Sequence, residues 1–322
     1  MNIRQLGNTD LQVSELCMGT MQFGWTADQD TSFEVLNAAY QAGINFIDTA
    51  DIYSRWVDGN PGGVSEQIIG EWIKKFKIPR EKIVLATKVR GLISDDPADQ
   101  GLSRGHIIKS IDSSLKRLKT DYIDLYQAHW PDDGVPIEET LGAFNQLIKQ
   151  GKVRAIGCSN YPAWRLMQSL WTADANHTAR YDSLQPHYNL VHRSEFESEL
   201  AAVCSEYQIG VIPYSPLAGG FLTGKYRKGE PIPANSRGEN STRLQAYFTD
   251  RNWTLLDKME EIGKENGGFS ISQVALAWQL ANPIITSPII GPKNLSQLED
   301  NIGAVKLQLP PGNLELLNQL SE

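Results

Sequence analysis

Cysteine is scarce in this 322-residue chain: Cys17, Cys158 and Cys204 are far apart and odd in number. They form neither a disulfide framework nor a CxxC metal site, and they point to a reducing cytoplasm. Histidine is sparse too. His106, His129, His177, His187 and His192 include no HxH or HxxxH pair, so the clustered ligands of a metal-dependent hydrolase are missing. Basic charge is not in excess either. The 30 Lys and Arg against 38 Asp and Glu leave a net charge of −8, which argues against nucleic acid as a principal partner. No long apolar run marks a membrane span and no apolar core follows the opening MNIRQLGNTD, so neither a membrane partner nor a signal peptide is expected.

The rest of the composition is that of a globular domain, with 41% hydrophobic and 21% charged residues. Eight strand-like runs rich in β-branched or other apolar residues follow one another: Ser14 to Gly19, Asn45 to Thr49, Ile83 to Lys88, Tyr122 to His129, Val153 to Ser159, Ser183 to His187, Gly210 to Tyr214 and Pro288 to Gly291. Amphipathic segments lie between them, for example Thr31 to Gln41, where Val35, Leu36, Ala39 and Tyr40 recur at helical spacing. Strands separated by helices pair in parallel through crossovers, so the chain is expected to be one (β/α)8 barrel domain over residues 1–322. A doubly wound open sheet is the alternative. It wants GxGxxG after the first strand, where this chain has GTMQFG. The opening IRQLGNTDLQV reads as a hairpin closing the barrel bottom.

From Pro216 to about Asp250 the chain is long and rich in Gly, Pro and Asn, which marks a functional loop. It begins PLAGGFLTGKY, where Gly219, Gly224 and Lys225 have the GxxxxGK spacing of a phosphate-binding P-loop. Tyr226 stands where that motif needs a Ser or Thr hydroxyl for magnesium. Glycines still admit backbone N–H groups close to an anion, although such runs are also ordinary turns. Little apolar surface is expected to hold this stretch, which predicts a loop that is mobile without ligand.

In a barrel, polar groups at the C-terminal strand ends converge on one face. Here those ends supply Asp48, with Tyr53 five residues on, then Lys88 and His129. Each has a structural reading: a loop cap, a packed phenol, a lysine reaching solvent, a bonded core imidazole. Together they make acid–base chemistry. A phenol with a pKa of about 10 is a poor acid–base group until a nearby ammonium lowers it, and a carboxylate can hold that ammonium in place. An imidazole beside them can direct a carbonyl oxygen toward the phenol.

The runs INFIDTADIY (44–53), SEQIIG (65–70), LATK (85–88), DYIDLYQAHWPD (121–132), KVRAIGCSNY (152–161), PYSPLAGGFLTGKY (213–226) and GPKNLSQLEDNIGA (291–304) resemble the aldo-keto reductase superfamily in order along nearly the whole chain. The resemblance implies NADPH-dependent reduction of aldehydes or ketones, with Tyr53 as general acid, Asp48 and Lys88 tuning it and His129 orienting the carbonyl. It also implies that Ser159, Asn160 and Gln185 bond the nicotinamide carboxamide and that Tyr214 stacks on its ring. The loop holding Leu217, Gly219 and Lys225 would cover the pyrophosphate. Gly291, Lys293, Gln297 and Asn301, at the start of the last barrel helix, would take the 2′-phosphate. The family often has arginine where Lys293 stands.

On the substrate side, Trp25, Trp56 and Trp130 follow strands one, two and four and are candidates for an apolar wall over a small carbonyl compound, or for plain rim packing. The segment Ile232 to Tyr247 is a further candidate for the pocket. Two other functions compete. A Schiff-base aldolase would use Lys88 but leaves Tyr214, Asn160 and Lys293 unexplained. A regulatory NADP(H)-binding subunit like the potassium-channel β subunits would share the tetrad, yet no long extension precedes the hairpin. The favoured expectation is a cytoplasmic carbonyl reductase, monomeric or weakly self-associated.

Overall fold

The computed structural model describes residues 1–322 apart from positions 93, 95, 97, 98 and 235. Strands β1 (Ile3–Gln5) and β2 (Gln12–Ser14) form the antiparallel hairpin. Eight parallel strands follow in the order β3 (Cys17–Gly19), β4 (Phe46–Asp48), β5 (Val84–Val89), β6 (Ile123–Ala128), β7 (Val153–Ser159), β8 (Ser183–Gln185) and β9 (Gly210–Val211), with β10 (Ile289–Ile290) beside β3. Thr286 N–H donates to Val211 O and Ile289 N–H to Pro213 O, each at 2.8 Å, which closes the sheet into a (β/α)8 barrel. Helices α1 (Gln29–Gln41), α2 (Val64–Phe76), α3 (Arg104–Leu118), α4 (Ile137–Lys149), α5 (Ala163–Asn176) and α6 (Ala201–Glu206) alternate with the strands. The long segment after β9 holds α7 (Thr242–Gln245), then α8 (Asp250–Glu265), α9 (Ile271–Ala281), α10 (Leu295–Gly303) and α11 (Pro311–Ser321) complete the chain.

Strand alternation makes two cores. Cys17, Phe46, Val84, Ala86, Leu125, Ala155, Ile212 and Ile289 fill the barrel together with Leu6, Leu11 and Val13 from the hairpin, which is the expected bottom plug. Gly7 makes that fit possible: at φ 53° it lies so close to β8 that a Cβ would stand 2.2 Å from Asp182 O. The opposite strand faces, including Ile47, Leu85 and Tyr126, join the helices in the larger core.

Two expectations change. The first expected strand splits, because Glu15 turns back to Asn2, accepting its N–H at 2.7 Å, and separates β2 from β3. The glycine-rich stretch also carries an apolar anchor: Phe221 and Leu222 are fully buried, with Phe221 against Tyr247, Phe248 and Trp253.

Candidate active site

Inward register carries chemistry from the core to the rim, since every second residue of a strand faces the barrel axis. Thus Phe46 leads to Asp48, Ala86 to Lys88, Leu125 to Gln127 and His129, and Ile212 to Tyr214. The structure brings the expected tetrad together. Lys88 Nζ, with no exposed surface, donates to Asp48 Oδ2 at 2.5 Å, to Thr49 O at 2.9 Å and to the Tyr53 hydroxyl at 2.9 Å. All three ammonium protons are therefore used, and the phenol oxygen is fixed at the rim. Tyr53 meets His129 edge-on at 6.0 Å between ring centroids.

Sequence reasoning missed Gln127. Its Nε2 donates to Asp48 Oδ1 at 3.0 Å, beside Gln185 Nε2 at 2.9 Å, so one carboxylate takes donors from three neighbouring side chains. Its inward position two residues before His129 was the available signal. Gln185, expected at the nicotinamide, spends its amide N–H on Asp48 and Gln127.

Electrostatics modify the expected acid. Burial of the Tyr53 phenol raises its pKa, Lys88 lowers it and Asp48 raises it again, and the net shift is upward rather than downward. Burial disfavours the Lys88 ammonium, but Asp48 and Tyr53 outweigh that and hold it protonated. Burial first, then Lys88 and Arg90, push His129 well below the ordinary imidazole value, so the ring is neutral. Its buried Nδ1 has no partner among the described residues.

The remaining expected residues lie on the same face. Ser159 Oγ donates to Gln185 O at 2.9 Å, Asn160 Nδ2 to His129 O at 2.9 Å, and the Tyr214 hydroxyl to Asn160 Oδ1 at 2.9 Å. Asn160 has a left-handed backbone, φ 62°, as do Ser54, Arg90, Ser215 and Ala218 in the loops after β4, β5 and β9. Backbone strain thus collects around the site. Leu217 O accepts Gly220 N–H at 2.8 Å in a tight turn, in which Gly219 and Gly220 have φ 65° and 104°. A Cβ on Gly220 would stand 2.9 Å from Lys225 Nζ, and one on Gly219 would reach the Arg237 side chain at 3.6 Å. A glycine cradle flanked by two cations fits a pyrophosphate. Arg237 gave no sequence signal, because the segment around it has no periodicity. Tyr226 is buried and its hydroxyl accepts Gly238 N–H at 2.9 Å, so it is a structural anchor in place of a magnesium ligand.

At α10, Asn294 caps the helix and Lys293 N–H donates to Gln297 Oε1 at 3.0 Å, with Asn301 buried one turn later. Gly291 approaches Gln22, whose amide also donates to Pro292 O at 2.7 Å. The three tryptophans form one arc: Trp25 meets Trp56 at 5.6 Å, Trp56 meets Tyr53 at 6.2 Å, and Trp130 stacks on His129 at 3.8 Å. Behind the tetrad, Glu66 takes Arg117 Nε and the Thr87 hydroxyl, each at 2.6 Å, whereas both carboxyl oxygens of buried Asp51 lack a partner among the described residues.

The model of the Aldo/keto reductase family matches residues 15–322. The chain belongs to this family. It is 40% identical to the uncharacterized oxidoreductase YrpG of Bacillus subtilis, over 99% of this chain and 96% of that protein. It is 31% identical to versiconal hemiacetal acetate reductase of Aspergillus parasiticus, over 99% and 96%. A putative voltage-gated potassium channel subunit beta of Schizosaccharomyces pombe is 36% identical over 99% and 92%. Aldo/keto reductases generally use NAD(P)H and act on small carbonyl compounds. No described helix is long and apolar enough to cross a membrane.

Proposed function

We propose that this protein is an NADPH-dependent reductase of small aldehydes or ketones, with Tyr53 as the general acid. One observation carries this reading: the fully buried Lys88 ammonium spans Asp48 and the Tyr53 hydroxyl at 2.5 and 2.9 Å. Tyr214, Ser159 and Asn160 would hold the nicotinamide, the Gly219–Gly220 cradle with Lys225 and Arg237 the pyrophosphate, and Lys293 with the start of α10 the 2′-phosphate. Held there, the cofactor would supply hydride chemistry. His129, kept neutral, directs the carbonyl oxygen by hydrogen bonding. Tyr53 gives that oxygen its proton, and Lys88 stabilises the phenolate left behind. The tryptophan arc offers an apolar wall beside the carbonyl compound.

The test is loss of 340 nm absorbance from NADPH with a panel of aldehydes. Tyr53→Phe is expected to cut turnover by about 10²-fold or more while NADPH affinity stays nearly unchanged. Retained turnover would remove Tyr53 from the mechanism. The potassium-channel relative supports a second reading, a regulatory NADP(H)-binding subunit. NADPH binding without turnover of any aldehyde in the panel would favour it.

A further inference from the structure

Tyr214 is fixed on three sides. Its hydroxyl donates to Asn160 Oδ1, its backbone N–H donates to Pro186 O at 2.9 Å, and one ring face lies parallel to His187 at 5.1 Å and 8°. His187 in turn stacks on His192 at 3.9 Å. With one face covered, only the other remains to take a flat ligand ring.

Two N–H groups face the ring nitrogens of His187, of which a neutral imidazole accepts one. Arg243 Nη2 lies 3.2 Å from its Nδ1, and Asn189 Nδ2 lies 3.4 Å from its Nε2. The Asn189 amide cannot turn round, because its Oδ1 accepts Val191 N–H and its Nδ2 donates to Ser215 O, each at 3.0 Å. A doubly protonated ring would present N–H groups to both donors, so geometry keeps His187 neutral. Burial, His192 and Arg243 pull its pKa down to about 3, in agreement.

Arg243 belongs to α7, whose next residue, Leu244, lies 3.4 Å from where a Cβ on Gly219 would stand. One short helix therefore touches the glycine cradle with one side chain and the support of Tyr214 with its neighbour. We propose that Arg243 and His187 are positioning residues that tie the pyrophosphate cradle to the plane of Tyr214, so that the two ends of a dinucleotide are placed together. This rests on the cofactor reading above.

The experiment uses the full chain and two ligands, NADPH and 2′-phospho-ADP-ribose, which has the phosphates but no nicotinamide. Arg243 is exposed, so Arg243→Ala leaves the core intact. His187→Phe keeps the ring stack without the acceptor, and His187→Asn keeps an acceptor without the ring. Each single variant is expected to weaken NADPH binding about fivefold, the scale of one net hydrogen bond, with 2′-phospho-ADP-ribose affinity within about twofold of wild type. The Arg243→Ala/His187→Phe double variant is expected to lose less than the sum of the single losses, because the two share the Arg243–His187 contact. NADPH affinity unchanged in the variants, additive losses, or equal losses for both ligands would overturn the proposal while leaving the cofactor reading intact. Wild-type protein that binds neither ligand would overturn the cofactor reading itself, and this proposal with it.

Discussion

Asp51 offers a stringent check on the electrostatics behind the tetrad. Two carboxyl groups, Asp51 and Glu66, share this buried layer with one guanidinium, and Glu66 takes it through Arg117 Nε at 2.6 Å. Desolvation, then the proximity of Glu66, raise the Asp51 pKa well above its ordinary value of 3.8. Between pH 3.8 and its folded-state pKa the group therefore holds a proton in the folded protein that it loses on unfolding. The sign follows from linkage. Its contribution to stability is fully present below pH 3.8 and is lost as pH rises toward the folded-state value. While Asp51 stays protonated, that loss is about 1.4 kcal/mol per pH unit. Asp51→Asn replaces the neutral acid with a group of the same shape that never titrates. Any cost of the new amide is constant with pH, so the pH slope is diagnostic. At about 2.1 cal/mol/K per residue, 322 residues give an unfolding entropy near 0.7 kcal/mol/K, or about 2 °C in Tm per pH unit. Melts of both proteins at pH 5, 6 and 7 and constant ionic strength are expected to show the variant gaining on wild type as pH rises, at up to about 2 °C per pH unit while Asp51 stays protonated. A difference that is flat or shrinks with pH would refute a protonated Asp51.

Other expectations are shorter to state. Lys293→Met is expected to weaken NADPH more than NADH by about 1.5 to 3 kcal/mol, the worth of a charge-assisted contact, and equal losses in titrations of the two cofactors would take Lys293 off the 2′-phosphate. Hydrogen exchange of residues 217–226 is expected to slow with NADPH and to ignore Mg-ATP; protection by Mg-ATP alone would reopen the nucleotide-hydrolysis reading of the glycine stretch. Because the Tyr53 pKa is raised, carbonyl reduction is expected to be flat with pH through neutrality, while alcohol oxidation, which needs the phenolate, rises about tenfold per pH unit. Rates in the two directions that rise in parallel would contradict Tyr53 as the titrating group.

Much of the barrel was legible because inward register and apolar runs coincide: all eight expected strand positions hold a barrel strand. Their lengths were less so. The runs Gly210 to Tyr214 and Pro288 to Gly291 shrink to two paired residues each, since Pro213 and Pro288 have no N–H for the ladder. Tyr214 instead meets His187 through a single bridge. The tetrad was legible from strand ends, and Gln127 lay within the same register. By contrast, Arg237 and Arg243 reach the site from the long segment after β9, where tertiary packing on Phe221 sets the path. No spacing rule marks such residues. The fall in pKa expected for Tyr53 considered its ammonium neighbour alone, whereas desolvation is the largest influence on the buried phenol.

These electrostatic features have a common consequence. At the reacting end of the site, Asp48 and Lys88 form the ion pair, while burial keeps the Tyr53 phenol and the His129 imidazole uncharged and shifts the Asp51 carboxyl toward its protonated form. Negative charge appearing on Tyr53 as it gives up a proton would then face the Lys88 ammonium across 2.9 Å without a second buried anion competing for it. An ionised Asp51 would be such a competitor, since Lys88 is among the charges that act on it. Wherever Asp51 stays protonated above pH 3.8, it costs stability, and it leaves the Lys88 field to the phenol. If Tyr53 is the acid, a protein that ionised Asp51 would be more stable in alkali and poorer at delivering a proton, and the acid chemistry would rest partly on residues that never touch the substrate.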